Sequence, residues 1–188
     1  MLVFVGLLTT SVRAQQYFYD YLNPNNIGTL IGGMHFINAT TGWASSEPGN
    51  IHKTVDGGIT WTTVNYGGNA NLADIFFINS TTGWSVGTGG AILKSTDGGA
   101  TWIQQNSGTT YEISDVFFVD TQNGWAALGN GIGGGNQNPP TVQVSSILRT
   151  TDGGTTWTNI SVPAVGADIN TIDFVNANVG YAASNARR

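Results

Sequence analysis

Three observations predict an all-β protein, and within that class a β-propeller of four-stranded blades. Glycine fills 27 of the 188 positions while charged residues make up only 9%. That balance fits tight turns between short strands and works against helical bundles and coiled coils, which need Ala, Glu, Lys and Leu in bulk. Aromatic residues reach 11%, with six Trp, which argues against a disordered chain. The third observation is a repeat: Trp43 to Trp84, Trp84 to Trp125 and Asp56 to Asp97 are each 41 residues apart. A period of ~40–45 residues holding four strand-like runs is the signature of a propeller blade.

At the start of the chain, Leu2–Leu8 is apolar and leads through Ala14 to the polar pair Gln15-Gln16. This pattern predicts a secretory signal over residues 1–14, hence a secreted, periplasmic or cell-surface protein. Residues 15–188 then form the propeller segment. Tyr17-Phe18-Tyr19-Asp20-Tyr21-Leu22 falls where the repeat expects a fourth strand, so residues 17–23 read as an outer strand. Blades are predicted at about 33–66, 74–107 and 115–161, with a partial blade at 171–184. The second repeat shows the four runs plainly: Asp74–Asn79, Gly83–Gly87, Ala91–Ser95 and Thr101–Gln105. The first run is the most apolar, which predicts a doubly covered position in the middle of the blade. Asp97 to Asp152 spans 55 residues, 14 more than the period, and the surplus falls at 130–144 as a loop insertion.

No run of 18 apolar residues exists, so no helix is expected to span a membrane. A net charge of −5 with no basic stripe argues against nucleic acid. The absence of cysteine excludes disulfides, thiolate metal sites and cysteine nucleophiles. His35 and His52 have no neighbouring ligand in sequence, so neither a metal nor another cofactor is expected. Lys53, Lys94 and Arg149 recur at one place in each repeat and read as solvation of the blade edge. Asn38, Asn79 and Asn159 stand in Asn-x-Ser/Thr sequons.

Three octapeptides align without gaps: Thr54-Val55-Asp56-Gly57-Gly58-Ile59-Thr60-Trp61, Ser95-Thr96-Asp97-Gly98-Gly99-Ala100-Thr101-Trp102 and Thr150-Thr151-Asp152-Gly153-Gly154-Thr155-Thr156-Trp157. Each reads as a turn in which glycine supplies positive φ and the Asp carboxylate accepts the turn's own N–H groups. The Ser or Thr two residues earlier offers another local partner. The Trp is expected to begin the outer strand and pack against the neighbouring sheet. A group recurring in every unit is a fold device, whereas catalysis needs one differentiated site. Asp56, Gly58, Trp61, Asp97, Gly99, Trp102, Asp152, Gly154 and Trp157 are therefore read as structural.

The octapeptide resembles the Asp-box, or bacterial neuraminidase repeat, of sialidase, xyloglucan hydrolase and sortilin-type propellers. With Asp115-Val116-Phe117-Phe118-Val119-Asp120, Gly124-Trp125 and Ile147-Leu148-Arg149, the fuller pattern most resembles the photosystem II assembly and stability factor family. Domains of that type also occur in secreted bacterial proteins. The resemblance implies a ring of about seven blades, and about four are present here. The chain thus reads as part of a larger ring, with a four-bladed ring or association between copies as the other readings.

Loops between second and third strands, and between blades, share one face, which in resembling propellers carries the binding site. That face offers Glu47, Tyr66, Tyr111, Glu112, Asn136, Asn138 and Asp168 as candidates. For Tyr66 and Tyr111, packing against blade edges stands ahead of ligand stacking. A sialidase-type site needs an arginine cluster, and after residue 14 only Arg149, Arg187 and Arg188 remain. A xyloglucanase-type site needs two carboxylates flanking the bond, and nothing differentiates Glu47, Glu112 and Asp168. The expected function is a non-catalytic scaffold binding a protein or glycan partner. The alternatives are a photosystem II assembly factor-like protein, or a glycoside hydrolase whose catalytic residues lie partly outside this chain. Remaining blades of a longer chain, or a second copy, are further expected partners.

Overall fold

The computed structural model describes residues 31–129, 146–162 and 169–184. The predicted signal at 1–14, the outer strand at 17–23 and the insertion at 130–144 lie outside the described residues, as do Asn136, Asn138 and Asp168. Three four-stranded antiparallel sheets and one two-stranded sheet follow one another along the chain. The first holds β1 (Ile31–Phe36), β2 (Gly42–Ser46), β3 (Asn50–Thr54) and β4 (Thr62–Asn65). The second holds β5 (Leu72–Phe77), β6 (Gly83–Gly87), β7 (Ala91–Ser95) and β8 (Ile103–Gln105). The third holds β9 (Ile113–Phe118), β10 (Gly124–Leu128), β11 (Ser146–Thr150) and β12 (Thr158–Ser161). The fourth holds β13 (Ile169–Asn176) and β14 (Val179–Ser184). Strand order within each complete sheet follows the chain, so each blade is a simple meander.

The first strands β1, β5, β9 and β13 touch in succession and form the inner edge of the blades. This corrects the expected central position of the most apolar run. β5 and β9 each bury three of their six residues fully and leave the other three half-covered, and the edge of each that faces the axis carries no partner strand. Full burial belongs to the second strands β2, β6 and β10, where all five residues are buried. These strands are hydrogen-bonded on both edges and covered on both faces. Their small residues after the Trp (Ala44-Ser45-Ser46, Ser85-Val86, Ala126-Ala127) let adjacent blades approach. The outer strands β4, β8 and β12 are mostly exposed.

Every first strand is irregular in its pairing near its start, and β13 is irregular again between Phe174 and Asn176. At the start a bulge recurs, between Ile31 and Met34, Leu72 and Asp74, Ile113 and Asp115, and Ile169 and Thr171. Such a bulge bends the strand and increases its twist. It also lengthens β5 and β9 by two residues beyond the start expected from the repeat.

The core lies between blades. Trp43 of the first blade and Phe77 of the second stack with ring centres 3.6 Å apart. Trp84 and Phe118 stack at 3.5 Å, and Trp125 and Phe174 at 3.8 Å. Aliphatic side chains complete each layer, such as Val86, Ile92, Ile113, Val116 and Leu128 around Trp84. A stacked aromatic pair adds roughly 0.5–1.5 kcal/mol to what burial of its area provides.

Candidate binding face

Two faces of the blades are built differently. On one, Asp56 Oδ1 accepts the Thr60 N–H at 2.9 Å and the Thr54 hydroxyl at 2.8 Å, while Asp56 Oδ2 accepts the Thr60 hydroxyl at 2.5 Å. Thr54 Oγ1 in turn accepts the Gly58 N–H at 2.8 Å. The same bonds recur around Asp97 and Asp152. The hydroxyl of the following Thr and its N–H, with the preceding Ser or Thr hydroxyl, hold each of these carboxyls at a pKa of about 2. Each carboxylate is thus saturated by its own turn and has little left for a ligand. Gly57, Gly98 and Gly153 donate to Thr40, Thr81 and Gln122, tying each turn to the first-to-second loop of its own blade.

Trp61, Trp102 and Trp157 stand one residue before the outer strands instead of beginning them. The indole N–H of Trp61 bonds Gly58 O, and that of Trp102 bonds Gly99 O, both at 3.1 Å. This closes the turn and delays strand pairing by one residue. Their rings sit edge-on to a phenylalanine of their own sheet: Phe36, Phe77 and Phe118. The partner across blades is instead the second-strand Trp, whose indole N–H reaches the next turn: Trp43 to Gly98 O at 3.0 Å, Trp84 to Gly153 O at 3.3 Å.

Lys53, Lys94 and Arg149 do not merely solvate an edge. They lie over the rings of Trp43, Trp84 and Trp125, 5.4–5.7 Å from the centroids. Lys94 Nζ also donates to Gly153 O of the next blade at 2.8 Å. The two sequon residues Asn38 and Asn79 turn out to be turn formers. The side-chain oxygen of each accepts backbone N–H groups two and three residues on, as Asp120 and Asn176 do in their own loops.

A second recurring device lies at the axis. Asp74 Oδ2 accepts the Val116 N–H at 3.1 Å, and Asp115 Oδ2 accepts the Ile172 N–H at 2.7 Å. Each carboxyl ties its blade to the first strand of the next. Burial raises the Asp74 pKa well above the usual carboxylate range, and the adjacent Asp115 adds to this through a hydrogen bond and its charge. In the first blade the matching residue is Gly33, whose missing side chain leaves room for Asp74 Oδ1. The signal was an acid recurring inside the apolar runs Asp74-Ile75-Phe76-Phe77 and Asp115-Val116-Phe117-Phe118.

The histidines are structural. His52 is buried, with Nε2 2.8 Å from Ser46 Oγ and Nδ1 2.8 Å from Thr63 Oγ1, and burial lowers its pKa to about 4. His35 packs on Phe76 at 4.7 Å, and burial lowers its pKa as well. No group of three or more metal-binding side chains occurs among the described residues.

The opposite face collects the second-to-third loops and the connections between blades. They brace one another: Tyr66 N–H bonds Gly49 O, Thr88 N–H bonds Asn71 O, and Gly129 N–H bonds Glu112 O. Asn65 Nδ2 donates to Pro48 O at 3.2 Å and to Asn50 Oδ1 at 3.0 Å. Tyr66 is half-buried against the first interblade core, and its hydroxyl accepts the Ala70 N–H at 2.9 Å. Its ring serves the loop. Tyr111, by contrast, is 45% exposed. Next to it Glu112 is half-buried, and its pKa is raised by burial and by the charge of Glu47. The charge of Glu47, in the second-to-third loop of the first blade, thus acts on Glu112, in the connection leading into the third. The cations among the described residues, Lys53, Lys94 and Arg149, all lie over Trp rings.

Comparison with known proteins agrees with this architecture. A comparison with curated protein sequences returned no match. Among solved structures, a YCF48 described as bound to D1 peptide is similar, with TM-score 0.62 and 21% identity over 82% of this chain and 46% of that one. YCF48 from Cyanidioschyzon merolae gives TM-score 0.63 and 24% identity over 81% of this chain and 47% of that one. An ancestral GH74 enzyme gives TM-score 0.63 and 17% identity over 81% of this chain and 21% of that one. The chain spans about half the length of the two YCF48 structures. Residues 59–163, more than half of the sequence, match the family model described as photosynthesis system II assembly factor YCF48, and the chain belongs to that family.

Proposed function

We propose that this protein is a non-catalytic scaffold, exported to the cell envelope or beyond, that holds an extended segment of a protein partner on the face of Glu47, Tyr111 and Glu112. The observation that carries the reading is the exposed ring of Tyr111 beside the half-buried Glu112, whose pKa is raised first by burial and then by repulsion from the charge of Glu47. A Lys or Arg from a partner would relieve that repulsion, and Tyr111 offers a ring for the adjoining side chain. The braced loops keep this face in shape before binding, which lowers the ordering cost of association. Membership of the YCF48 family supports a protein partner, as does a similar structure described as bound to a peptide. The turn carboxylates, saturated by their own hydrogen bonds, offer no general acid or base.

The test is binding of the intact protein to labelled extended peptides that differ only in Lys/Arg content. Basic peptides are expected to bind, and Glu47→Gln with Glu112→Gln to weaken them about tenfold. Binding that ignores both substitutions would overturn the placement of the site. Release of reducing sugar from xyloglucan by the protein would overturn the non-catalytic reading.

A further inference from the structure

We infer that the bonds Asp56-Gly57, Asp97-Gly98 and Asp152-Gly153 are latent sites of isoaspartate formation, held silent in the folded protein by the hydrogen bonds of their own turns. Each of these glycines has positive φ, 75°, 74° and 70°, where a side chain would be strained. The fold therefore demands the dipeptide in which aspartate is chemically weakest. Glycine leaves its nitrogen unshielded, and that nitrogen can attack Cγ of the preceding aspartic acid. The N–H proton leaves with the carboxyl OH as water, closing a five-membered succinimide. Water then reopens the ring at the former backbone carbonyl, after which the chain runs through the side-chain carbonyl. The other described aspartates, Asp74, Asp115, Asp120 and Asp173, precede Ile75, Val116, Thr121 and Phe174, whose side chains shield the nitrogen.

In the folded turn both reacting groups are occupied. The nucleophiles Gly57, Gly98 and Gly153 donate their N–H to Thr40 O, Thr81 O and Gln122 O at 2.8–2.9 Å. The electrophile is held as firmly. Asp152 Oδ1 accepts the Thr156 N–H at 2.9 Å and the Thr150 hydroxyl at 2.8 Å, and Oδ2 accepts the Thr156 hydroxyl at 2.6 Å. Attack needs the carboxyl to swing onto the Gly153 nitrogen, and each of these bonds resists that rotation. They also keep the carboxyl ionised far below neutral pH, whereas loss of water needs the protonated acid. The preceding blade clamps two of the turns as well: Trp43 bonds Gly98 O, and Trp84 and Lys94 both bond Gly153 O. Rearrangement adds a methylene to the backbone and moves the free carboxylate onto the former main chain, so a rearranged turn cannot rebuild these bonds. Each isoaspartate is thus a permanent record that its turn opened.

The test is site-resolved mass spectrometry of the full chain and of the end-blocked peptide Thr150–Trp157, TTDGGTTW, incubated side by side in warm neutral buffer. Isoaspartate at Asp152 is expected to form more than about tenfold slower in the folded chain than in the peptide, because several hydrogen bonds must open together. Thr156→Val removes one donor to Asp152 and is expected to speed rearrangement there about fivefold, while Asp56 and Asp97 of the same molecule stay slow. Thr156→Ser keeps the hydroxyl and should restore the original rate. Three results would each overturn the inference: equal rates at Asp152 in the folded chain and the peptide, a Thr156→Val chain in which Asp152 rearranges no faster than Asp56 and Asp97, or a Thr156→Ser chain as fast as Thr156→Val.

Discussion

β6 and β14 hold the same place in their blades and open alike, with Gly83-Trp84 in one and Gly180-Tyr181 in the other. Yet every residue of β6 is buried and five of six in β14 are exposed. The difference comes from the neighbours. β6 has strands on both edges, and Trp84 stacks on Phe118 and bonds Gly153 O of the next blade. β14 has β13 and nothing else among the described residues. In this fold, burial of the second strand is conferred by the third strand and by the following blade. A blade is therefore only as stable as its successor allows, which is the nearest-neighbour energetics of a repeat protein.

The largest expected effect follows directly. Trp84→Ala is expected to cost about 3–5 kcal/mol in urea unfolding, while Tyr181→Ala changes stability by no more than about 0.5 kcal/mol. Equal losses would break the comparison. Next come two turn glycines. Gly89 and Gly99 both have positive φ, 69° and 88°, so alanine at either costs roughly 1–2 kcal/mol in backbone strain. Around Gly89 there is open space, but a methyl at Gly99 would stand 3.0 Å from Trp43 Nε1. Gly99→Ala should therefore lower the melting temperature further than Gly89→Ala.

The repeat, the blade and the turn chemistry were legible in the sequence because they recur at fixed spacing, and recurrence survives without coordinates. Position within the sheet was not. The apolar run Ile75-Phe76-Phe77 reads as a central strand, since hydrophobicity reports burial and not which neighbour causes it. Lys94 likewise reads as a surface cation, because its acceptor, Gly153 O, lies 59 residues away in another blade. The closeness of Glu47 and Glu112 was equally invisible for the same reason. Asp74 could have been noticed as an acid inside an apolar run, but its acceptor role toward Val116 needed the topology.

Two kinds of aspartate also divide the molecule, and pH separates them. The turn carboxyls, held at about 2, contribute stability that is present above the unfolded pKa near 4 and lost as pH falls toward 2. Asp74 acts in the opposite sense. Its raised folded pKa leaves it unpenalised below about pH 4, and the penalty grows as pH rises from there through the raised value. Asp74→Asn keeps an acceptor for Val116 and removes the charge. Urea midpoints measured across this range should then lose their decline above pH 4 and keep the acid-side loss. The smallest effect belongs to the binding face. Glu47→Gln should lower the titration midpoint of Glu112 in an NMR pH series, with no change in the melting curve.

The central claim is that each blade is secured by the one that follows. Residue-resolved native-state hydrogen exchange on the unmodified chain tests it most directly. The account predicts that amides of β6 and β10 exchange only through global or near-global unfolding. Amides of β14 on the side away from β13 should exchange close to the rate of an open chain. Protection of β14 equal to that of β6 would contradict it.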